Sequence, residues 1–291
     1  MKYERALLVE KHTEYEYYMR EGTFGNLDKE RAESVERAHV LHNLTTNQLE
    51  DRLRGIFQKV DRIKSDKLKQ TNPESYDLCV TGGGDATFIA VASMLDKGLI
   101  LGVNTTPTQD DSGSYGGLCS ITANQLEEIE KLKASEGFQV QEWLRLGASL
   151  NGKPFPYTSS NEIYIGSAKG YKASHLSVEI DGVLVNFTGS GLIAATPMGS
   201  TAWFSSITDG HVIDPKSFAY GLACREVFLK REKPAWQKRT VDGQRHTIVT
   251  ARRDKHIIVF DGLEETETKL KSNDKIEIYV SNKPLHVVTF G

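Results

Sequence analysis

Cysteine is scarce in this 291-residue chain. Its three cysteines, Cys79, Cys119 and Cys224, lie far apart and form no C-x-x-C. Three thiols cannot all pair within one chain, so the pattern argues against a disulfide framework and a zinc site and fits a reducing compartment. Long apolar runs are missing too, and none approaches the roughly 18 residues that span a bilayer. The opening MKYERALLVEKH lacks both the apolar stretch of a signal peptide and the Arg-rich, acid-poor character of an organelle leader. A cytoplasmic protein with no membrane partner is therefore expected. Nor is there an excess of positive charge. Thirty-six basic side chains face 39 acidic ones, net −3, so no global field exists to hold a nucleic acid by its phosphates. No internal repeat is present. With 38% hydrophobic residues, 25 Gly and 8 Pro, disordered and collagen-like classes are excluded.

What is present changes texture along the chain. RALLV (5–9) reads as a short buried strand, followed by a polar stretch with Tyr15, Tyr17 and Tyr18. Leu49, Leu53, Ile56, Phe57, Val60 and Ile63 recur at three and four, which predicts a helix over 47–64 with Asn47 as cap and Glu50 three residues on. YDLCV, the turn TGGGDAT (81–87), the helical FIAVASML and LILGV (99–103) then make one βαβ unit, hence a parallel sheet. Thr122 with Gln125 predicts a capping box opening a helix over 123–133. Beyond about 137, short alternating runs are punctuated by Asn151-Gly152, Asp181-Gly182, Asp242-Gly243 and Asp261-Gly262. These dipeptides suit tight hairpins, so 137–200 and 236–290 read as antiparallel β, with a helix somewhere in 202–230. The expected architecture is an α/β N-terminal domain with a parallel sheet (1–122) and an all-β, sandwich-like C-terminal domain (123–274). The segment near 275–291 is a candidate to complete the first.

Chemistry concentrates at two places. Gly82-Gly83-Gly84-Asp85 sits where a parallel strand gives way to a helix, the end of an open α/β sheet at which ligands bind. Glycines there admit a phosphate to the backbone, and the aspartate can hold Mg²⁺ or accept a proton from an attacking hydroxyl. No Lys-Ser/Thr follows, so this is not a Walker loop, and it is not G-x-G-x-x-G. The plainer alternative is a tight turn with Asp85 satisfying backbone donors. The second place is SGLIAATPMGSTAWFSS (190–206), where hydroxyls, backbone donors and a flat ring suit a purine nucleoside, or equally a hairpin exit with a core tryptophan. Asn161-Glu162 offers donors and acceptors for a ribose diol or simply starts a strand. Asp261 alone reads as a turn residue.

In this order the pieces resemble the NAD kinase family. Gly83-Gly84-Asp85-Ala86-Thr87 matches its GGDGT, Asn161-Glu162 its Asn-Glu pair, Thr196-Pro-Met-Gly-Ser-Thr-Ala-Trp203 its T-x-G-S/T-T-A-aromatic segment, and Asp261-Gly262 its late Asp-Gly. Ser190-Gly191-Leu192, Trp203 and Thr13-Glu14-Tyr15-Glu16 are most similar to the mitochondrial-type branch. The resemblance implies phosphoryl transfer from Mg²⁺-ATP to the 2′-hydroxyl of the adenosine ribose of NAD(H). It implies Asp85 as the base or orienting group, and Gly83, Gly84 and Thr87 around the phosphates. Gly84, Asn104, Asn161, Glu162, Ser190, Thr201, Ala202, Trp203, Ser206 and Asp261 fall to the dinucleotide, with Asp261 reaching it across a subunit boundary. Mg²⁺ would arrive with ATP rather than on a protein cluster, and the assembly would be a homodimer or homotetramer. Three positions depart from the family pattern: Ala86 for glycine, a longer segment after Asn104, and Ser190 for aspartate. Ala86 and Ser190 motivate the alternative of a non-catalytic nucleotide sensor. A kinase of the same fold acting on a lipid or sugar hydroxyl is the other alternative.

His39 and His42 can share a helix face, but two histidines without a third ligand read as surface residues. Lys230-Arg231, Lys238-Arg239 and Arg252-Arg253 read as solvated hairpin ends or as contacts to nucleotide phosphates.

Overall fold

The computed structural model describes residues 4–107, 113–134, 136–228 and 234–291. They form two compact units. One comprises residues 1–142 with 285–291, the other 143–284. The sequence places the junction at 122/123 and the return near 275.

The first unit contains β1 (Arg5–Glu10), α1 (Glu14–Glu21), α2 (Lys29–Arg54), β2 (Lys59–Lys64), β3 (Leu78–Gly83), α3 (Asp85–Ala92), β4 (Leu99–Asn104), β5 (Ile121–Thr122), α4 (Lys131–Ala134) and β6 (Phe138–Trp143). The last strand of the chain, Leu285–Phe290, also belongs to this unit. The sheet runs β2-β1-β3-β4, then the last strand, then β6, with β5 beside the far end of β4. The β1/β2, β1/β3 and β3/β4 pairs are parallel, as is that of β4 with the last strand. Helices can then cover both faces, and β1 and β3 are accordingly buried almost throughout.

The helix expected over 47–64 is corrected. α2 starts at Lys29, capped by the Asp28 carboxylate accepting from Arg31 N at 2.8 Å, and stops at Gly55. Asn47 is therefore mid-helix. Lys59–Lys64 is strand β2, in parallel register with β1. Leu49 and Leu53 on the helix, and Phe57 and Val60 beyond it, face one core cluster. Their spacing matches a helix although a turn separates them, because short apolar runs do not distinguish the two periods well. The polar stretch after β1 becomes α1, with a Thr13/Glu16 capping box. The Thr122/Gln125 box is present, opening a 3₁₀ segment that leads into α4.

The second unit is all β. Its strands are β7 (Leu146–Leu150), β8 (Lys153–Ser159), β9 (Glu162–Ser167), β10 (Ser174–Ile180), β11 (Val183–Gly189), β12 (Gly191–Ala195), β13 (Ala219–Arg225), β14 (Lys238–Asp242), β15 (Thr247–Ala251), β16 (His256–Phe260), β17 (Thr268–Leu270) and β18 (Lys275–Val280). They build two six-stranded sheets, β11-β10-β15-β18-β7-β8 and β14-β13-β12-β9-β16-β17. One core joins them, with Val178, Val249 and Ile276 from the first sheet and Ile165, Leu192 and Phe260 from the second. Strand β10 shows the alternation this requires, every second residue buried.

Asn151-Gly152 and Asp181-Gly182 make the expected hairpins, with φ of 50° and 79°, and 53° and 75°. Asp242-Gly243 does not. It carries the chain from β14 in one sheet to β15 in the other. Two further readings are corrected. The strands 138–143 and 285–290 join the first sheet rather than the antiparallel unit. The helix in 202–230 is one short turn, Trp203–Ile207, before β13 begins. The last strand, numbered β19 in chain order, closes the sequence.

Candidate functional site

The glycine turn stands at the carboxyl end of β3, between its neighbours β1 and β4. Gly84 ends the extended segment and Asp85 opens α3. The Asp85 carboxylate does not cap its own helix. It accepts from Leu118 N at 2.8 Å and Gly117 N at 3.1 Å, one bond to each oxygen. A carboxylate oxygen offers about two lone-pair sites, so each keeps acceptor capacity. The residue is partly exposed. The loop segment that holds it also folds over the turn, since a Cβ on Gly84 would meet the Ser114 side chain. Thr87 is buried, with its hydroxyl against Gly83. Ala86 is exposed and helical, so the family's glycine is not required there for backbone reasons.

Asn104 turns both polar atoms onto its own loop. It is 1% exposed, its Nδ2 donates to Ser114 O at 2.7 Å, and its Oδ1 accepts from Thr106 N at 3.2 Å. Both polar atoms fasten the loop that bears the Asp85 partners. His42, read as a surface residue, is fully buried and bonds Thr105 Oγ1 at 2.9 Å. Burial pushes its imidazole down to about 3, so it is neutral at pH 7.

In the second unit one cluster assembles around Asp261. Its backbone is left-handed, φ 52°, at the turn after β16. Its carboxylate accepts from Ser160 N at 2.8 Å, Asn161 N at 2.7 Å and Glu162 N at 3.0 Å, and from the Ser159 hydroxyl. Asp261 N returns a bond to Glu162 O at 2.8 Å. This buried carboxylate thus fixes the start of β9, where Asn161 and Glu162 sit. The TPMGSTAW turn grips the same segment from the other side. Thr196 N donates to Asn161 O at 2.9 Å, Thr196 Oγ1 donates to Ser160 O at 2.7 Å, and Gly199 packs so closely on Asn161 that a Cβ would strike its carbonyl. Thr201, Ala202, Trp203 and Ser206 remain exposed on the outer side of that turn.

Tyr164 and Arg225 were not singled out in the sequence. Tyr164 stacks on Trp203, with centroids 5.7 Å apart at 25°, and its hydroxyl donates to Ser190 O at 2.9 Å. The Arg225 guanidinium lies 4.4 Å from the Trp203 ring centroid. The only available signal was the alternation that put Tyr164 on the face opposite Ile163. Ser190 lines a cleft of about 570 Å³ with His175, Thr188, Glu226, Phe228 and Arg253. Lys238 donates to Thr208 O at 2.7 Å, and Lys230-Arg231 lies outside the described residues.

Glu162 is the electrostatic outlier. It is 8% exposed, and its Oε2 has no hydrogen-bond partner among the described residues. Burial first, then the Asp261 charge, pushes its carboxyl up to about 8. Burial also raises Asp261, but four donors converge there and favour the ionised form, so Glu162 holds the proton at neutral pH. A raised folded-state pKa means that the unfolded chain releases this proton first as pH rises. Stability is fully present below the ordinary 4.5 and is lost between there and about 8, by up to about 1.4 kcal/mol per pH unit. Glu162→Gln should remove that slope. Denaturant titrations at pH 5 and 8 check it, and equal pH dependence in both proteins would contradict the assignment.

A parallel α/β unit carrying a Gly-Gly-Asp turn at the end of one strand, joined to a two-sheet β unit, is the fold class these features define. Residues 160–290 match the ATP-NAD kinase C-terminal domain family. A probable NADH kinase of Oryza sativa subsp. japonica is 28% identical over 265 residues, 80% of this chain and 81% of that protein. The NAD kinase of Methanosarcina barkeri is 29% identical over 224 residues, 76% of each. Among solved structures, an Archaeoglobus fulgidus NAD kinase in complex with ATP superimposes with a TM-score of 0.66 at 24% identity, covering 99% of this chain and 93% of that one. A yeast NADH kinase complexed with NADH gives 0.67 at 15%, covering 99% and 84%. The fold is that of these enzymes, and the sequence from residue 160 onward matches the C-terminal domain of that family.

Proposed function

We propose that this protein transfers the γ-phosphoryl group of ATP to the 2′-hydroxyl of the adenosine ribose of NAD(H), giving NADP(H) and ADP. The observation that carries the reading is Asp85, a partly exposed carboxylate held by two loop amides where the glycine turn leaves the end of β3. In the transfer, the 2′-oxygen forms a bond to phosphorus, the bond from the β–γ bridging oxygen to the γ-phosphorus breaks, and ADP leaves with that oxygen. Asp85 orients the hydroxyl and takes its proton. Gly83, Gly84 and Thr87 shape the phosphate pocket. Such transfer depends on positioning and charge stabilisation more than on covalent chemistry.

Asn161 and Glu162, fixed by Asp261, contact the adenosine, with Thr201, Ala202, Trp203 and Ser206 on the adenine side and Ser190 toward the remainder of the dinucleotide. A neutral Glu162 can donate as well as accept, which suits a ribose diol or base edge. A divalent ion would arrive on the phosphates of ATP. Mg²⁺ fits that role, neutralising phosphate charge when bound. Exposed Val183, Leu184, Phe218 and Phe228 on the second unit support assembly as a homodimer or homotetramer, and free cysteines support a cytoplasmic, reducing location. No helix is long and apolar enough to cross a membrane.

The test is incubation of the purified protein with Mg²⁺-ATP and either NAD or NADH, with NADP(H) quantified. Accumulation in at least one arm, abolished by EDTA, is expected. Dinucleotide binding with no product in either arm would favour a sensor instead.

A further inference from the structure

Lys11 follows β1, and its backbone N–H donates to Gly82 O at 3.0 Å. From there its side chain reaches Thr106, beyond the end of β4, where Nζ donates to Oγ1 at 2.8 Å. Because β3 lies between β1 and β4, that path passes over the carboxyl end of β3, where the glycine turn stands. A Cβ on Gly83 would lie 3.3 Å from the Lys11 Cβ. Lys11 is partly buried, and burial lowers its pKa against the opposing pull of Glu14. Among the described residues no carboxylate lies within ion-pair distance of it. The acidic groups nearby already have cations. Glu10 is held by Arg62 at 2.6 Å and Lys64 at 3.4 Å, Glu16 by Lys64 at 3.0 Å, and Glu14 by Arg31 at 2.7 Å. His42 is neutral. The pull of Glu14 offsets burial only in part, and that carboxylate is itself held by Arg31, so a phosphate entering the glycine turn gives this half-buried cation a closer counter-charge.

We propose that Lys11 binds the phosphate chain of the ATP donor, exchanging its bond to Thr106 for a phosphate oxygen. The proposal rests on the kinase reading and adds to it a residue just past β1, outside the Gly-Gly-Asp turn. The Lys11 side chain carries a point charge with three donors, which suits a phosphate oxygen and is not tied to the dinucleotide acceptor.

Two experiments test it. Lys11→Met keeps the stem and removes the charge. The KM for ATP should rise about ten-fold or more while the KM for NAD stays within about two-fold. Lys11→Arg should recover part of the loss. In the wild-type chain, which needs no refolding of a variant, Mg²⁺-ATP should protect Lys11 from acylation, read by mass spectrometry, and NAD alone should not. If NADP is made and Lys11→Met leaves the KM for ATP unchanged, or if ATP gives no protection, the proposal falls while the kinase reading stands. If the wild-type chain neither binds ATP nor makes NADP, both fall together.

Discussion

Replacing Asp85 by Asn should lower kcat for NADP formation by about 10²–10⁴-fold, the range expected when a group that accepts a proton is lost. The KM for NAD should move little, because the proposed role of Asp85 is confined to the one reacting hydroxyl, while other residues are proposed to hold the rest of the dinucleotide. Asparagine retains one acceptor oxygen and puts an NH₂ group against the second of the two amides at Gly117 and Leu118. That mismatch costs about 1–3 kcal/mol and loosens the loop, but the strand and helix flanking the turn are buried and should keep the fold. Steady-state kinetics with far-UV circular dichroism separate the two effects. A kcat within about three-fold of wild type, in a folded protein, would remove Asp85 from the chemistry.

The second large effect is on stability. Asp261→Ala should strand four donors, the Ser159 hydroxyl and the amides of Ser160, Asn161 and Glu162, in a site that is almost fully buried. Each unsatisfied donor costs about 1–3 kcal/mol, so a total near or above about 4 kcal/mol is expected, a large part of the stability of most domains. The apparent melting temperature should drop by roughly 10 °C. Asp261→Asn keeps part of the acceptor set and should fold, with the KM for NAD raised and that for ATP little changed. Thermal melts of both variants and kinetics of the second check this. An Asp261→Ala protein as stable as wild type would mean the segment 159–162 is held by other contacts.

These two aspartates show what a sequence can and cannot convey. Asp85 was readable because its neighbours are local. A buried strand, three glycines and an apolar helix together announce the turn, and only its amide partners, 32 and 33 residues away, were invisible. Asp261 read as a turn residue, and so it is, with positive φ. Its greater role depends on contacts about 100 residues distant that no local pattern encodes. Within its own unit its carboxylate fixes the segment from Ser159 to Glu162. The loop contacts of Asn104 were hidden in the same way, since a polar residue at a strand end can face a ligand or its own loop with identical spacing. The β unit was readable from Asn-Gly and Asp-Gly turns wherever the strands they join pair directly. Asp242-Gly243 misled because the chain changes sheets there. Lys11 gave no signal, being one lysine among many until the sheet order placed it over the glycine turn.

The most direct measurement follows the transferred group itself. The protein is incubated with NAD and ATP carrying labelled γ-phosphorus, and the dinucleotide product is isolated and digested to locate the label. The account predicts label in the 2′-phosphate of NADP, absent with Asp85→Asn. Label confined to free phosphate, or attached to a hydroxyl other than the 2′ position, would contradict it.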